Sequence, residues 1–134
     1  MVGEAREGAI LLDVAAGAGG FDRDMLERFG HPVTVCHGPE AATVCPLLAG
    51  KGCDDFTQAH GVVFQLDLDE PQHRAIVRRY RELARPDVPI RVIVTAAQAA
   101  QYAEELRDVE LLTHLPTVAE LDGFAAEVEA AARA

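Results

Sequence analysis

The chain has 134 residues, with 22 acids against 12 bases and a net charge of −10 at pH 7. That length fits one domain of roughly 100–200 residues. An acidic surface repels phosphate backbones, and no apolar run reaches the roughly 18 residues of a membrane span. Nucleic acid and membrane are therefore excluded as the expected partners. Residues 1–134 read as a single domain, with residues 1–8 as a flexible N-terminal tail that lacks the pattern of a secretory signal. Three cysteines without such a signal read as reduced thiols, and the expected location is the cytoplasm.

The first apolar run is Ala9-Ile10-Leu11-Leu12, closed by Asp13. A Gly-rich turn follows from Ala15 to Gly20, and then a short helix from Asp22 to Phe29 that stops at Gly30. Pro32 to Cys36 reads as a second strand. Residues 37–60 are irregular, with room for one short helix around Glu40 to Leu48. Gly61 to Leu66 is a third strand, running into Asp67-Leu68-Asp69-Glu70-Pro71. Pro71 opens a helix to about Arg85, with Ile76, Tyr80, Leu83 and Ala84 on its apolar face. Ile90 to Val94 is a fourth strand, followed by Thr95 and an Ala-rich helix over Ala97 to Arg107. Val109 to Thr113 is a fifth strand. The last helix covers Val118 to Ala132, with Thr117 and Glu120 spaced as a capping box.

Strands alternate with helices, and nearly continuous apolar strands must be covered on both faces. The expected fold class is therefore α/β with a parallel sheet and right-handed crossovers. Ligands of such sheets sit beyond the carboxyl ends of the strands. That places Asp13, Cys36, Asp67, Thr95 and His114-Leu115-Pro116 in the region where function is sought.

Asp67 with Pro71 four residues on, Thr95-Ala96 after Pro89 to Val94, and Pro116 before a closing amphipathic helix resemble the receiver domain of bacterial response regulators. The resemblance runs through nearly the whole chain. It implies a flavodoxin-like three-layer sandwich whose five parallel strands take the order 2-1-3-4-5. It also implies a role for each site residue. Asp67 would be the phosphoacceptor and Thr95 the phosphoryl contact. Asp13, Asp67 and the Asp69 carbonyl would hold Mg²⁺, and His114, Leu115 and Pro116 would form the switch region. An aspartyl phosphate forms by in-line attack of a carboxylate on phosphorus, and the charge on the transferring oxygens must be neutralised by a metal and an ammonium. The sequence departs from the family at both neutralising groups. Val14 and Ala15 follow Asp13 where the family has a second acid nearby, and Leu115 stands where it has a lysine. The only lysine, Lys51, lies in the irregular segment.

The resulting expectation is a non-enzymatic, atypical receiver acting in bacterial signalling through protein contacts, with weak or absent Asp67 phosphorylation and at most a weak Mg²⁺ site. The implied partners are a sensor kinase, a phosphotransfer protein or an effector. A homodimer through the fourth helix, fifth strand and fifth helix is also implied. Two other readings stand beside it. The run Leu11 to Gly20 resembles the first motif of Rossmann-type S-adenosylmethionine-dependent methyltransferases, although the second strand ends in Cys36-His37-Gly38 rather than a ribose-binding acid. Cys36, Cys45 and Cys53 suit a thiol or metal sensor, although no C-x-x-C pair is present. Arg74, Arg78, Arg81 and Arg85 share one helical stripe, read either as a docking face or as a solvated surface.

Overall fold

The structure, a computed structural model, describes residues 8–40 and 45–133. Five strands lie in one parallel sheet in the order β2-β1-β3-β4-β5. The strands are β1 (Ile10–Asp13), β2 (Val33–Cys36), β3 (Gly61–Phe64), β4 (Ile90–Ile93) and β5 (Glu110–Leu112). The helices are α1 (Gly20–Arg28), α2 (Asp54–Gln58), α3 (Pro71–Leu83), α4 (Ala96–Gln101) and α5 (Val118–Arg133), with a 3-10 turn at Gly38–Glu40. This is the expected flavodoxin-like sandwich, and its strand order is the expected one.

Alternation along the strands divides the core into two layers. Leu11, Val62, Phe64 and Val92 pack with Phe56 of α2 and Ile76, Val77 and Tyr80 of α3. Ile10, Leu12 and Val63 pack on the opposite side with Leu26 of α1 and Leu121, Phe124 and Val128 of α5. Side chains one apart on a strand point to opposite faces, so a strand buried on both sides must be apolar at every position. β3 meets α5 closely at Gly61, where a Cβ would run into the Val128 side chain.

Several element boundaries differ from expectation by one or two residues, and the helices of the middle of the chain differ as follows. The helix expected around Glu40 to Leu48 is not observed where the structure is described. Residues 46–50 form turns there, and residues 41–44 lie outside the described residues. The helix of this segment is instead α2, which begins after Cys53 and buries Phe56. α4 ends at Gln101 rather than Arg107. The carbonyls of Glu104 and Glu105 receive the Arg81 guanidinium, at 3.0 and 3.3 Å, and Asp108 takes φ +66°, so the chain leaves helical geometry. α3 stops at Leu83, two residues short: Ala84 takes extended backbone, with φ −64° and ψ 136°, and Pro86 disfavours helical backbone at Arg85. The expected tail falls on residues 1–7, outside the described residues, except for Gly8, whose carbonyl accepts from His31 Nδ1 at 2.9 Å. Thr117 and Glu120 form the expected capping box at α5, with amide–side chain distances of 3.0 and 3.2 Å.

Candidate functional site

The sheet order places the switch in chain direction between β1 and β3, and Asp13 ends β1 at that point, in register with Cys36 on one side and Phe64 on the other. From here the residues singled out in the sequence separate into two groups.

The first group surrounds Asp67. It lies three residues past Phe64, the last residue of β3, rather than directly after the strand. Its Oδ1 accepts from the Asp69 amide at 3.0 Å and from Gln98 Nε2 at 2.8 Å. Gln98 also accepts from the Thr95 amide through Oε1 at 3.1 Å, while Thr95 Oγ1 accepts from the Gln98 amide at 3.0 Å. Thr95 is therefore the N-cap of α4 in a reciprocal capping box. One glutamine side chain thus joins Thr95 to Asp67, and the two residues sit at the same end of neighbouring strands. The loop around them is tied down from behind. Arg74 donates to the carbonyls of Leu68 and Asp69 at 2.8 and 3.2 Å and lies over the Tyr102 ring at 4.7 Å. Tyr102 donates to Asp69 Oδ1 at 3.0 Å.

The switch-region residues do not join this group. His114 Nε2 lies 2.9 Å from Glu120, and the Thr117 amide, then His114, hold the Glu120 carboxyl below its usual range. Leu115 is 76% exposed, and Pro116 is buried. Among the described residues no hydrogen bond or ion pair joins His114 to Asp67.

The second group surrounds Asp13. Its side chain is 1% exposed and accepts from the Tyr80 hydroxyl at 2.5 Å through Oδ2. Oδ1 is buried without a hydrogen bond of sound geometry, although the Cys36 thiol lies beside the carboxyl. Burial pushes the Asp13 carboxyl up to about 7, against the opposing pull of the Tyr80 and Cys36 contacts, and Asp55 raises it further. Burial of the charged form is the dominant cause because the low-dielectric interior disfavours a carboxylate. Tyr80 is pinned by its own packing, stacked on Phe56 with ring centroids 4.3 Å apart.

Asp13 therefore faces a cavity rather than Asp67. The cavity has a volume of about 400 Å³ and lies between the ends of β1 and β2, the 3-10 turn, α2 and α3. All three cysteines line it. They are free thiols. Burial pushes the Cys36 thiol up to about 11 and raises that of Cys53, so neither is an activated nucleophile. Among the described residues no group of three His, Cys, Asp or Glu side chains is arranged to hold a metal ion. The set Asp13, Asp67 and Asp69 is thus not assembled, and neither is a cysteine metal site. The acids named for Mg²⁺ do not share a site, because Asp13 lines a cavity that neither Asp67 nor Asp69 lines.

The Gly-rich turn has a backbone explanation. Gly17 and Gly19 adopt φ of +82° and +84°, and a Cβ at Gly19 would meet both Val14 methyls at 2.8 Å. No glycine of this turn lines the 400 Å³ cavity. The arginine stripe is also structural. Arg74 and Arg81 hold the carbonyls already named, Arg85 donates to the Ala59 carbonyl at 2.9 Å, and Arg78 pairs with Glu105 at 3.9 Å.

Tyr80, Gln98 and Asp55 were not singled out in the sequence as site residues. Tyr80 carried a signal, since a tyrosine on the apolar face of a buried helix needs a partner for its hydroxyl. Gln98 carried a weaker one, as a Gln three residues after a Thr at a helix start.

No protein-family model and no curated protein matches the sequence. Among solved structures, a response regulator protein from Burkholderia multivorans is similar, with a TM-score of 0.59, 18% identity and coverage of 90% of this chain and 93% of that one. A fusion carrying the yeast Spc42 trimeric coiled coil is similar with a TM-score of 0.58, 16% identity and coverage of 97% of this chain and 80% of that one. At this identity the likeness is one of fold, and the fold is receiver-like.

Proposed function

We propose that the chain is an atypical receiver-like domain that acts in bacterial signal transduction through protein contacts, with Asp67 phosphorylation weak or absent. The observation that carries the reading is the Gln98 bridge. It keeps Asp67 and Thr95 together at one sheet end, as a receiver requires, while occupying one of the two Asp67 carboxylate oxygens and leaving Asp13 in a separate cavity. An aspartyl phosphate adds roughly −1.5 to −2 charges, by analogy with other phosphorylated side chains. Asp69 and Glu70 stand next to it, and Leu115 supplies no cation. Loss of one preorganised donor in such a site costs about 10²–10³ in rate.

The partner reading rests on exposed apolar side chains. Leu111, Leu115 and Val118 are 38%, 76% and 48% exposed and lie consecutively along β5, its exit loop and the start of α5. This surface suits a second copy of the chain, a sensor kinase, a phosphotransfer protein or an effector. The test is incubation with acetyl phosphate and Mg²⁺, read by phosphate-affinity gel and intact mass. The expected result is little modification. Fast modification that is lost in Asp67→Asn would overturn the atypical assignment and make the protein a working receiver.

A further inference from the structure

The cavity beside Asp13 is not used by the proposed signalling reading, and its chemistry is selective. Asp13, Asp54 and Asp55 line it, and among the described residues no Lys or Arg does. Its volume of about 400 Å³ falls in the range of small-molecule sites. Val35, Leu47 and Ile76 give it apolar walls. An acidic lining alone defines no site, but Asp13 adds a second, independent observation. It is buried in the wall of the cavity, and its Oδ1 has no hydrogen-bond partner of sound geometry. Unsatisfied buried polar atoms are uncommon and costly, and the Cys36 thiol beside Asp13 is only a weak donor, so Oδ1 retains the capacity to accept from a stronger one.

We propose that this cavity binds a small organic cation, an apolar body bearing a primary ammonium group, with the ammonium donating to Asp13 Oδ1. A metal ion is disfavoured because no three ligating side chains converge there among the described residues. An anion is disfavoured by the three carboxyls. The ammonium would supply both a stronger donor and the charge that a buried carboxylate lacks. Asp54 and Asp55, which are exposed, would attract the cation to the mouth of the cavity.

The test uses the intact chain and three probes of one shape: 2-phenylethylamine, 2-phenylethanol and phenylacetate. Amide chemical shifts report binding. The amine is expected to saturate, with shifts centred on Val35, His37 and Leu47. The alcohol should bind at least about tenfold more weakly, the difference a charge-assisted hydrogen bond makes. Phenylacetate should not saturate. Asp13→Asn should weaken the amine about tenfold and leave the alcohol unchanged.

A pH series on the wild type keeps the proposal testable if that variant does not fold. The groups facing Asp13 are Cys36 on β2, Asp55 on α2 and Tyr80 on α3, with His37 on the cavity wall. The amine stays charged between about pH 8 and pH 5, while Asp13 takes up a proton. Its affinity should fall over that interval, and fall equally in His37→Gln, which removes the imidazole from the cavity wall. Equal affinity for amine and alcohol, shifts centred elsewhere, no saturation below about 10 mM, or a pH-independent affinity would each overturn the assignment.

Discussion

The buried Asp13 carboxyl makes stability depend on pH in an unusual direction. Its folded value of about 7 stands above the ordinary 3.8. Between those values the folded chain keeps a proton that the unfolded chain has released. Stability from this group is therefore complete below pH 3.8 and is lost as pH rises through 7. A gap of about three units at about 1.4 kcal/mol per unit makes the loss about 4 kcal/mol. That is a large share of the roughly 5–15 kcal/mol typical of a domain. Asp13→Asn removes the titration while retaining an oxygen for the Tyr80 hydroxyl. The amide buries donors without partners, at a cost of about 1–3 kcal/mol. The variant should thus be less stable than wild type near pH 4 and should overtake it between about pH 4.5 and pH 6, before the wild-type loss is complete near pH 7. Urea denaturation followed by circular dichroism, at intervals from about pH 4 to pH 8, gives both curves. A stability difference that stays constant across the range would refute the buried-carboxyl argument.

Two further outcomes follow from the packing. Gly61→Ala places a methyl against Val128 and Phe124 under β3, so it should cost about 1–3 kcal/mol in thermal or urea unfolding, and unchanged stability would show that α5 can move aside. Gln98→Ala removes both the reciprocal cap of α4 and the bridge to Asp67. It should cost about 1 kcal/mol and speed amide exchange over residues 95–101, whereas unaltered exchange would show that Thr95 caps α4 alone.

The parts of the fold that follow from local rules were legible in the residues. Apolar runs at Ile10–Leu12 and Gly61–Phe64, and the run Ile90–Ile93 broken only by Arg91, marked the strands, because strands covered on both faces are apolar at nearly every position. Pro71 marked the first turn of α3, and Thr117 with Glu120 marked the start of α5, since both signals act within one helical turn. The resemblance to receiver domains that Asp67, Pro71 and Thr95 carry implied the strand order observed. The tertiary structure decided what each acid does. Asp13 reads in sequence as a strand-end acid available to a metal ion. Its burial depends on Tyr80, 67 residues away along the chain, and on Phe56 stacked behind that ring. The same packing brings Cys36, Cys45 and Cys53 to one cavity although their spacing fits no local motif. Gln98 reaches Asp67 only because β3 and β4 are neighbours. Strand and cap signals depend on residues within a few positions of each other, whereas the ionisation of a carboxyl depends on everything that displaces water around it, from any part of the chain.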